Sequence, residues 1–182
     1  MPNAGMRIGI GRRAVIGGLA AAALLPGARA FAAKPAPRSL GFHHLHTGES
    51  LDACYWQDGA YLPDALAAID HVLRDHRTGE ASAIDRKLLD LLVAVRERLG
   101  SAAPFEVICG YRSPASNEML RSTSSGVAKH SLHLAGRAID VRLPGRELAA
   151  LRAAGIGLAR GGVGYYPKSG FVHLDTGRVR QW

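Results

Sequence analysis

The chain is short of cysteine, of aromatic residues and of long apolar runs, and each shortage closes off a class of protein. Cys54 and Cys109 are its only two thiols, too few for the disulfide framework of a small secreted scaffold. Neither belongs to a Cys-x-x-Cys pair. Cys109 closes the apolar run Phe105-Glu-Val-Ile-Cys and reads as a small buried hydrophobe. Aromatic residues are 6% of the 182, and the basic residues are scattered along the chain. Together these exclude a nucleic-acid surface, which needs clustered positive charge with stacking platforms. The apolar stretch Ala14 to Leu25 is too short to cross a bilayer. No internal repeat and no second domain are visible.

Acidic residues are missing altogether from positions 1–33, which hold Arg7, Arg12, Arg13 and Arg29. Four of the eight excess positive charges of the chain therefore belong to this segment and four to the rest. It reads as an export signal peptide, with Arg12-Arg13 ahead of the apolar stretch. The small-x-small patterns Ala28-Arg-Ala30 and Ala30-Phe-Ala32 follow it. Paired arginines followed by Ala-Val-Ile-Gly resemble a twin-arginine signal, with Gly11 where Ser or Thr is usual; a general secretory signal is the alternative. No Cys follows the cleavage region, which argues against a lipoprotein. The expectation is a periplasmic protein, monomeric and with no stable membrane insertion once the leader is removed. Residues 34–38, Lys-Pro-Ala-Pro-Arg, form a stiff tether, and 39–182 make one domain, long enough to bury a core.

Along that domain the apolar spacing predicts short strands at Ser39 to His46 and Leu51 to Trp56 around Thr47-Gly-Glu-Ser50. His43, His44 and His46 lie in the first, with 44 and 46 on one face, and read as surface or rim histidines. Leu66, Ile69, Val72 and Leu73 recur at helical spacing over Pro63 to His76, with His71 and His76 facing solvent. A second helix, Ile84 to Leu99, carries the stripe Leu88, Leu91, Leu92, Val95 and stops at Gly100. Phe105 to Cys109 is a strand ending at Gly110-Tyr-Arg-Ser-Pro, where the planar fork of Arg112 is placed to hold a carboxylate or polarised carbonyl, or to form a surface ion pair. Ser113 caps a further helix, and a short one runs from Pro144 to Ala154. Gly161 to Gly170 suggests a strand and hairpin.

The chemistry concentrates in Ser131-Leu-His-Leu-Ala-Gly-Arg-Ala-Ile-Asp140 and in Phe171-Val-His-Leu-Asp175. They offer imidazoles at His133 and His173 and a carboxylate at Asp140, the donor types of a three-ligand catalytic zinc site. Gly136 lets the backbone turn between the first two. Ala138 to Leu143 alternates as a strand does, so Asp140 projects opposite to Ile139 and Val141. A buried His–Asp pair without metal is the plainer alternative; the second imidazole tells against it. The expected architecture is α+β, a small antiparallel sheet carrying the zinc site with helices on one side.

The pattern S-x-H-x-x-G-x-A-x-D with a later H-x-D resembles the zinc D-Ala-D-Ala metallopeptidases. Gly110-Tyr-Arg-Ser-Pro114, Gly126-Val-Ala-Lys129, Gly161-Gly-Val-Gly-Tyr-Tyr-Pro167 and Arg180-Gln-Trp182 narrow the likeness to the murein endopeptidase K branch, from about Leu40 to the end. The resemblance implies a Zn²⁺-dependent enzyme that hydrolyses cross-bridge peptides of peptidoglycan, at diaminopimelate–diaminopimelate and/or D-Ala–diaminopimelate bonds. It implies zinc on His133, Asp140 and His173, and Arg112 as a substrate-binding and transition-state-stabilising residue. Many relatives carry Glu three residues before the last His, or His two before it, and here those positions are Gly170 and Phe171. Asp175 then has two open roles, as the base that takes the water proton or as the partner that orients an imidazole. Ser131 is a cap or support rather than a nucleophile. Two rival functions remain: a D-Ala-D-Ala carboxypeptidase, and a non-catalytic murein-binding module that keeps zinc for structure.

Overall fold

In the computed structural model, residues 35–124 and 127–182 are described; the leader expected at 1–33 lies outside them. Strand β1 (Arg38–His44) turns through Thr47-Gly48 into β2 (Ser50–Gln57), which pairs with it antiparallel and with the two-residue β3 (Ala60–Tyr61). Gly48 holds φ 74 in that turn, a region closed to most side chains. Pro63 sits in the first turn of α1 (Pro63–Val72), where its missing N–H costs nothing. Helix α2 (Arg86–Arg98) starts where the Asp85 carboxylate accepts from Lys87 N at 3.0 Å. There follow β4 (Phe105–Cys109), α3 (Pro114–Thr123), β5 (Ala138–Arg142), α4 (Leu148–Leu158), β6 (Gly162–Tyr166), β7 (Phe171–Asp175) and β8 (Arg180–Gln181).

The architecture is α+β, as the sequence suggested, but the sheet is larger and mixed. Its eight strands run in the order β3-β2-β1-β4-β5-β7-β6-β8, with parallel contacts at β1–β4 and β6–β8 and antiparallel ones elsewhere. A parallel neighbour needs a crossover, and β2, β3, α1 and α2 all lie within the one from β1 to β4. Side-chain alternation then divides the sheet into two functional faces. Leu40, Phe42, Phe105, Val107, Ile139, Val141, Val172 and Leu174 bury one face with Leu88, Leu91, Leu92 and Val95 of α2 and Leu151 of α4. Each such side chain contributes about 1.5–3 kcal/mol of transfer free energy. The opposite face at β5 and β7 carries Asp140, His173 and Asp175.

Helices α1 and α4 differ from the periodicity at their ends, and α4 runs on past Ala154 to Leu158. α1 ends at Val72, not His76, because residues 73–80 are drawn into other bonds. Leu73 O accepts from Tyr111 N at 2.8 Å, and the Asp75 carboxylate accepts from Ser113 N at 2.8 Å and Arg77 N at 2.9 Å. α4 begins at Leu148 because Pro144 to Glu147 form a turn in which Gly145 takes φ 73. Those loop bonds tie the segment after α1 to the strand end that carries Arg112.

Candidate metal centre

The face opposite the core is assembled by strand register. In the β4–β5–β7–β6 run, Cys109 pairs with Asp140, Asp140 with His173, and His173 with Gly164, so all four share one face. The β4–β5 register shifts between Val107 and Cys109; this irregularity turns Cys109 from the core face to the Asp140 face. His133 arrives from a 3₁₀ turn, Leu132–Ala135. Ser131 caps it, accepting from His133 N at 3.4 Å, which is the supporting role expected of it. Gly136 ends it at φ 62, and a Cβ there would collide with the Ala83 carbonyl.

Hydrogen-bond partners fix which nitrogen of each imidazole is free. His133 Nδ1 lies 2.7 Å from the Gly110 carbonyl, which can only accept, so Nδ1 donates and Nε2 keeps its lone pair. His173 Nε2 lies 3.1 Å from an Asp175 oxygen, so Nε2 donates and Nδ1 keeps its lone pair. Those two lone pairs and Asp140 Oδ1 converge. His133 Nε2 to Asp140 Oδ1 is 3.4 Å, His173 Nδ1 to Asp140 Oδ1 is 2.8 Å, and the two nitrogens are 3.2 Å apart. Tetrahedral bonds of about 2.0–2.1 Å put neighbouring donors roughly 3.3 Å apart. Three acceptors facing one another repel unless a cation or a proton lies between them, so the chemistry of the donor set fits a divalent metal. Where no metal is bound, a proton on His133 takes that place. Burial opposes charge on His133, yet Asp140 and then Cys109 hold its pKa well above the ordinary value. Burial likewise opposes the Asp140 carboxylate, yet His133 and His173 hold it below the usual range.

Asp175 stands behind His173, fully buried. Its oxygens accept from Gly162 N at 3.0 Å, Gly177 N at 2.8 Å and Arg180 Nη2 at 2.8 Å, besides His173. Burial raises its pKa, and these partners, His173 and Arg180 first, bring it well below the carboxylate range. Of the two roles open to Asp175, this position suits the orienting one, because no oxygen is left facing the cleft. Arg112 stands on the other side. Its Nη2 lies 3.8 Å from Asp140 Oδ2 and 3.5 Å from Cys109 Sγ, and Nη1 lies 3.4 Å from Asn117 Oδ1. Its Nε is buried with no partner, a donor in reserve.

Above the donors opens a cleft of about 660 Å³ whose rim includes His130, Ser131, Tyr166 and Trp182, with Arg112 and His173 inside. Cys109, which the sequence marked as a small buried hydrophobe, is buried and also lies against the donors. One of its ligand atoms, one of His133 and one of Asp140 all fall within 4.8 Å of one another. No local pattern could have found it, since the strand irregularity that turns it is set by pairing across β5. Tyr166 could have been found by counting two residues on from Gly164, the partner of His173.

The other histidines need correction. His44 is fully buried, not a surface or rim residue, and its Nε2 has no partner. His76 does not lie on a solvent face of α1; it stacks on His46 at 4.1 Å between ring centroids. His71 is exposed, as expected, with 67% of its side chain accessible. Cys54 and Cys109 are both free thiols.

The convergent His–Asp–His donors on the open face of an α+β sheet place the chain among candidate metallopeptidases. The family model described as Peptidoglycan L,D-endopeptidase MepK matches residues 32–182, so the chain belongs to that peptidase family. It is 42% identical over 169 residues to Peptidoglycan L,D-endopeptidase MepK of Escherichia coli (strain K12), covering 92% of this chain and 93% of that one. It is also 42% identical over 154 residues to a probable MepK of Haemophilus influenzae, covering 84% and 83%. No solved structure matches it.

Proposed function

We propose that this chain is a zinc-dependent murein endopeptidase that hydrolyses peptide cross-links of peptidoglycan, the diaminopimelate–diaminopimelate bond first. The L,D-endopeptidase relatives favour that bond over the D-Ala–diaminopimelate bond. The observation that carries the reading is the convergence of His133 Nε2, Asp140 Oδ1 and His173 Nδ1 in a buried, acceptor-only set at the floor of a cleft.

His133, Asp140 and His173 would hold the zinc. Zinc in such a site supplies Lewis acidity, polarising a carbonyl and acidifying a water. The remaining work falls to the chain's own side chains. Gly110 O and Asp175 lock the two imidazole tautomers, so both rings present lone pairs without reorganisation. Arg112 stands half-buried beside Asp140, and its guanidinium donates to the oxygen on which negative charge grows. Action on peptidoglycan requires a place outside the cytoplasm, which fits the leader at 1–33 and a periplasmic monomer.

Defined muropeptides test the reading. Zinc-loaded protein should cut diaminopimelate–diaminopimelate-linked dimers and stop when a chelator is added. Removal of terminal D-Ala from uncross-linked pentapeptides in preference to dimers would mark a carboxypeptidase instead. Binding of the zinc-loaded protein to sacculi with no release of fragments would mark a binding module.

A further inference from the structure

A second part of the cleft wall is built with as much care as the donor set. On β6, Tyr166 stands two residues beyond Gly164, the register partner of His173, and so shares its face one step along the strand. Its phenol lines the cleft. Phe171, its cross-strand partner, stacks on it at 4.7 Å between ring centroids. The indole N–H of Trp182 donates to the Tyr166 oxygen at 2.7 Å. An indole nitrogen can only donate, so the Tyr166 hydroxyl hydrogen must point elsewhere.

Trp182 is itself anchored. Its backbone pairs with β6 through Trp182 N to Val163 O and Tyr165 N to Trp182 O, at 3.2 and 3.0 Å. Gly164 leaves room for the indole, whose nearest atoms would lie 2.7–2.9 Å from a Cβ there. The Arg180 guanidinium lies over the indole at 4.7 Å and is held in turn by Asp175. One carboxylate therefore fixes both His173 and, through Arg180 and Trp182, the phenol of Tyr166.

A preset donor on a cleft wall needs an acceptor. Asp140 carries the only side-chain carboxylate among the described residues that line the cleft, and the donor set occupies it. Arg112 and Arg180 against the single side-chain carboxylate of Asp140 leave the cleft lining a positive balance that suits an anionic ligand. We propose that Tyr166 reads a carboxylate on the substrate residue beside the bond to be cut, its O–H donating to that oxygen, and that Trp182 is the positioning residue that directs it. The proposal rests on the murein reading above. The carboxylate is one of those a diaminopimelate residue carries, and a phenol–carboxylate hydrogen bond is charge-assisted.

Two cross-linked dimers differing only in whether that carboxylate is free or amidated test it, with zinc content and melting temperature measured alongside. On the free acid, Tyr166→Phe should lose about ten- to hundredfold in kcat/KM, mainly through KM. On the amide it should lose much less, since a neutral acceptor gains less from the hydroxyl. Trp182→Phe should lose less than Tyr166→Phe with the same substrate preference. The double variant should be no worse than Tyr166→Phe, because both act through one hydroxyl. Equal losses on acid and amide, a wild-type rate for Tyr166→Phe, or full additivity with Trp182→Phe would overturn the assignment. Failure of the zinc-loaded wild type to cut or bind either dimer would overturn the murein reading itself.

Discussion

Replacing Asp175 by Asn separates the orienting role from the basic one with a single oxygen-to-nitrogen change. The shape is kept and the charge is lost. The amide then faces four donor groups with one good acceptor, where the carboxylate accepts from His173 Nε2, Gly162 N, Gly177 N and Arg180. Loss of one hydrogen bond to a charged group costs about 1.5–3 kcal/mol. At roughly 2–4 °C per kcal/mol for a domain of this size, melting should fall by about 3–12 °C. His173 loses the partner that holds its Nδ1 lone pair toward Asp140, so zinc affinity should drop by about 10–100-fold. Chelator competition reads the affinity, and turnover at saturating zinc reads the chemistry. With zinc restored, turnover should stay within about tenfold of wild type. Unchanged zinc affinity with turnover reduced about 10²–10⁴-fold would make Asp175 the base and refute the orienting role.

Three further changes probe other links. Arg112→Lys keeps the charge but loses the fork and the free Nε–H, so turnover should fall about ten- to hundredfold with zinc content whole; an unchanged rate removes Arg112 from the mechanism. Burial first, then Arg77, His46 and His44, bring the His76 pKa down to about 4. The unfolded chain takes that proton near pH 6.5 and the folded one near 4, so this residue's contribution to stability is lost as pH falls between them. His76→Gln should flatten the fall in denaturation midpoint over that window, and an unaltered slope would show that the imidazole stack does not bear on acid stability. Lysine at both Arg12 and Arg13 should block export and leave the leader uncleaved; normal export would assign the leader to the general secretory route.

What the sequence showed and what it hid divide along the reach of the interactions. The strand Phe105–Cys109 was readable residue for residue, because it is a compact apolar run ending at a glycine. The opposition of Asp140 to Ile139 and Val141 followed from period two alone, and the fold buries both aliphatic residues in the core. The order of the sheet was hidden, since β1 and β4 pair in parallel across a long crossover that no local pattern encodes. The turn of Cys109 toward Asp140 was hidden for the same reason. The burial of His44 and the stacking of His76 on His46 depend on where the segment after α1 docks. That is decided by Tyr111, Ser113 and their bonds to Leu73 and Asp75. The donor set at His133, Asp140 and His173 was readable as residue types, but the locked tautomers that make it acceptor-only emerge only once Gly110 and Asp175 are in place.

The central claim is that three side chains hold one zinc, and metal content measured on ligand variants tests it most directly. The wild-type protein should hold about one zinc per chain. His133→Ala, Asp140→Ala and His173→Ala, each confirmed folded by its melting transition, should each lose it to a chelator that wild type resists, because three ligands leave no redundancy. Stoichiometric, chelator-resistant zinc in His133→Ala would contradict the assignment and send the search to His44, His46 and His76.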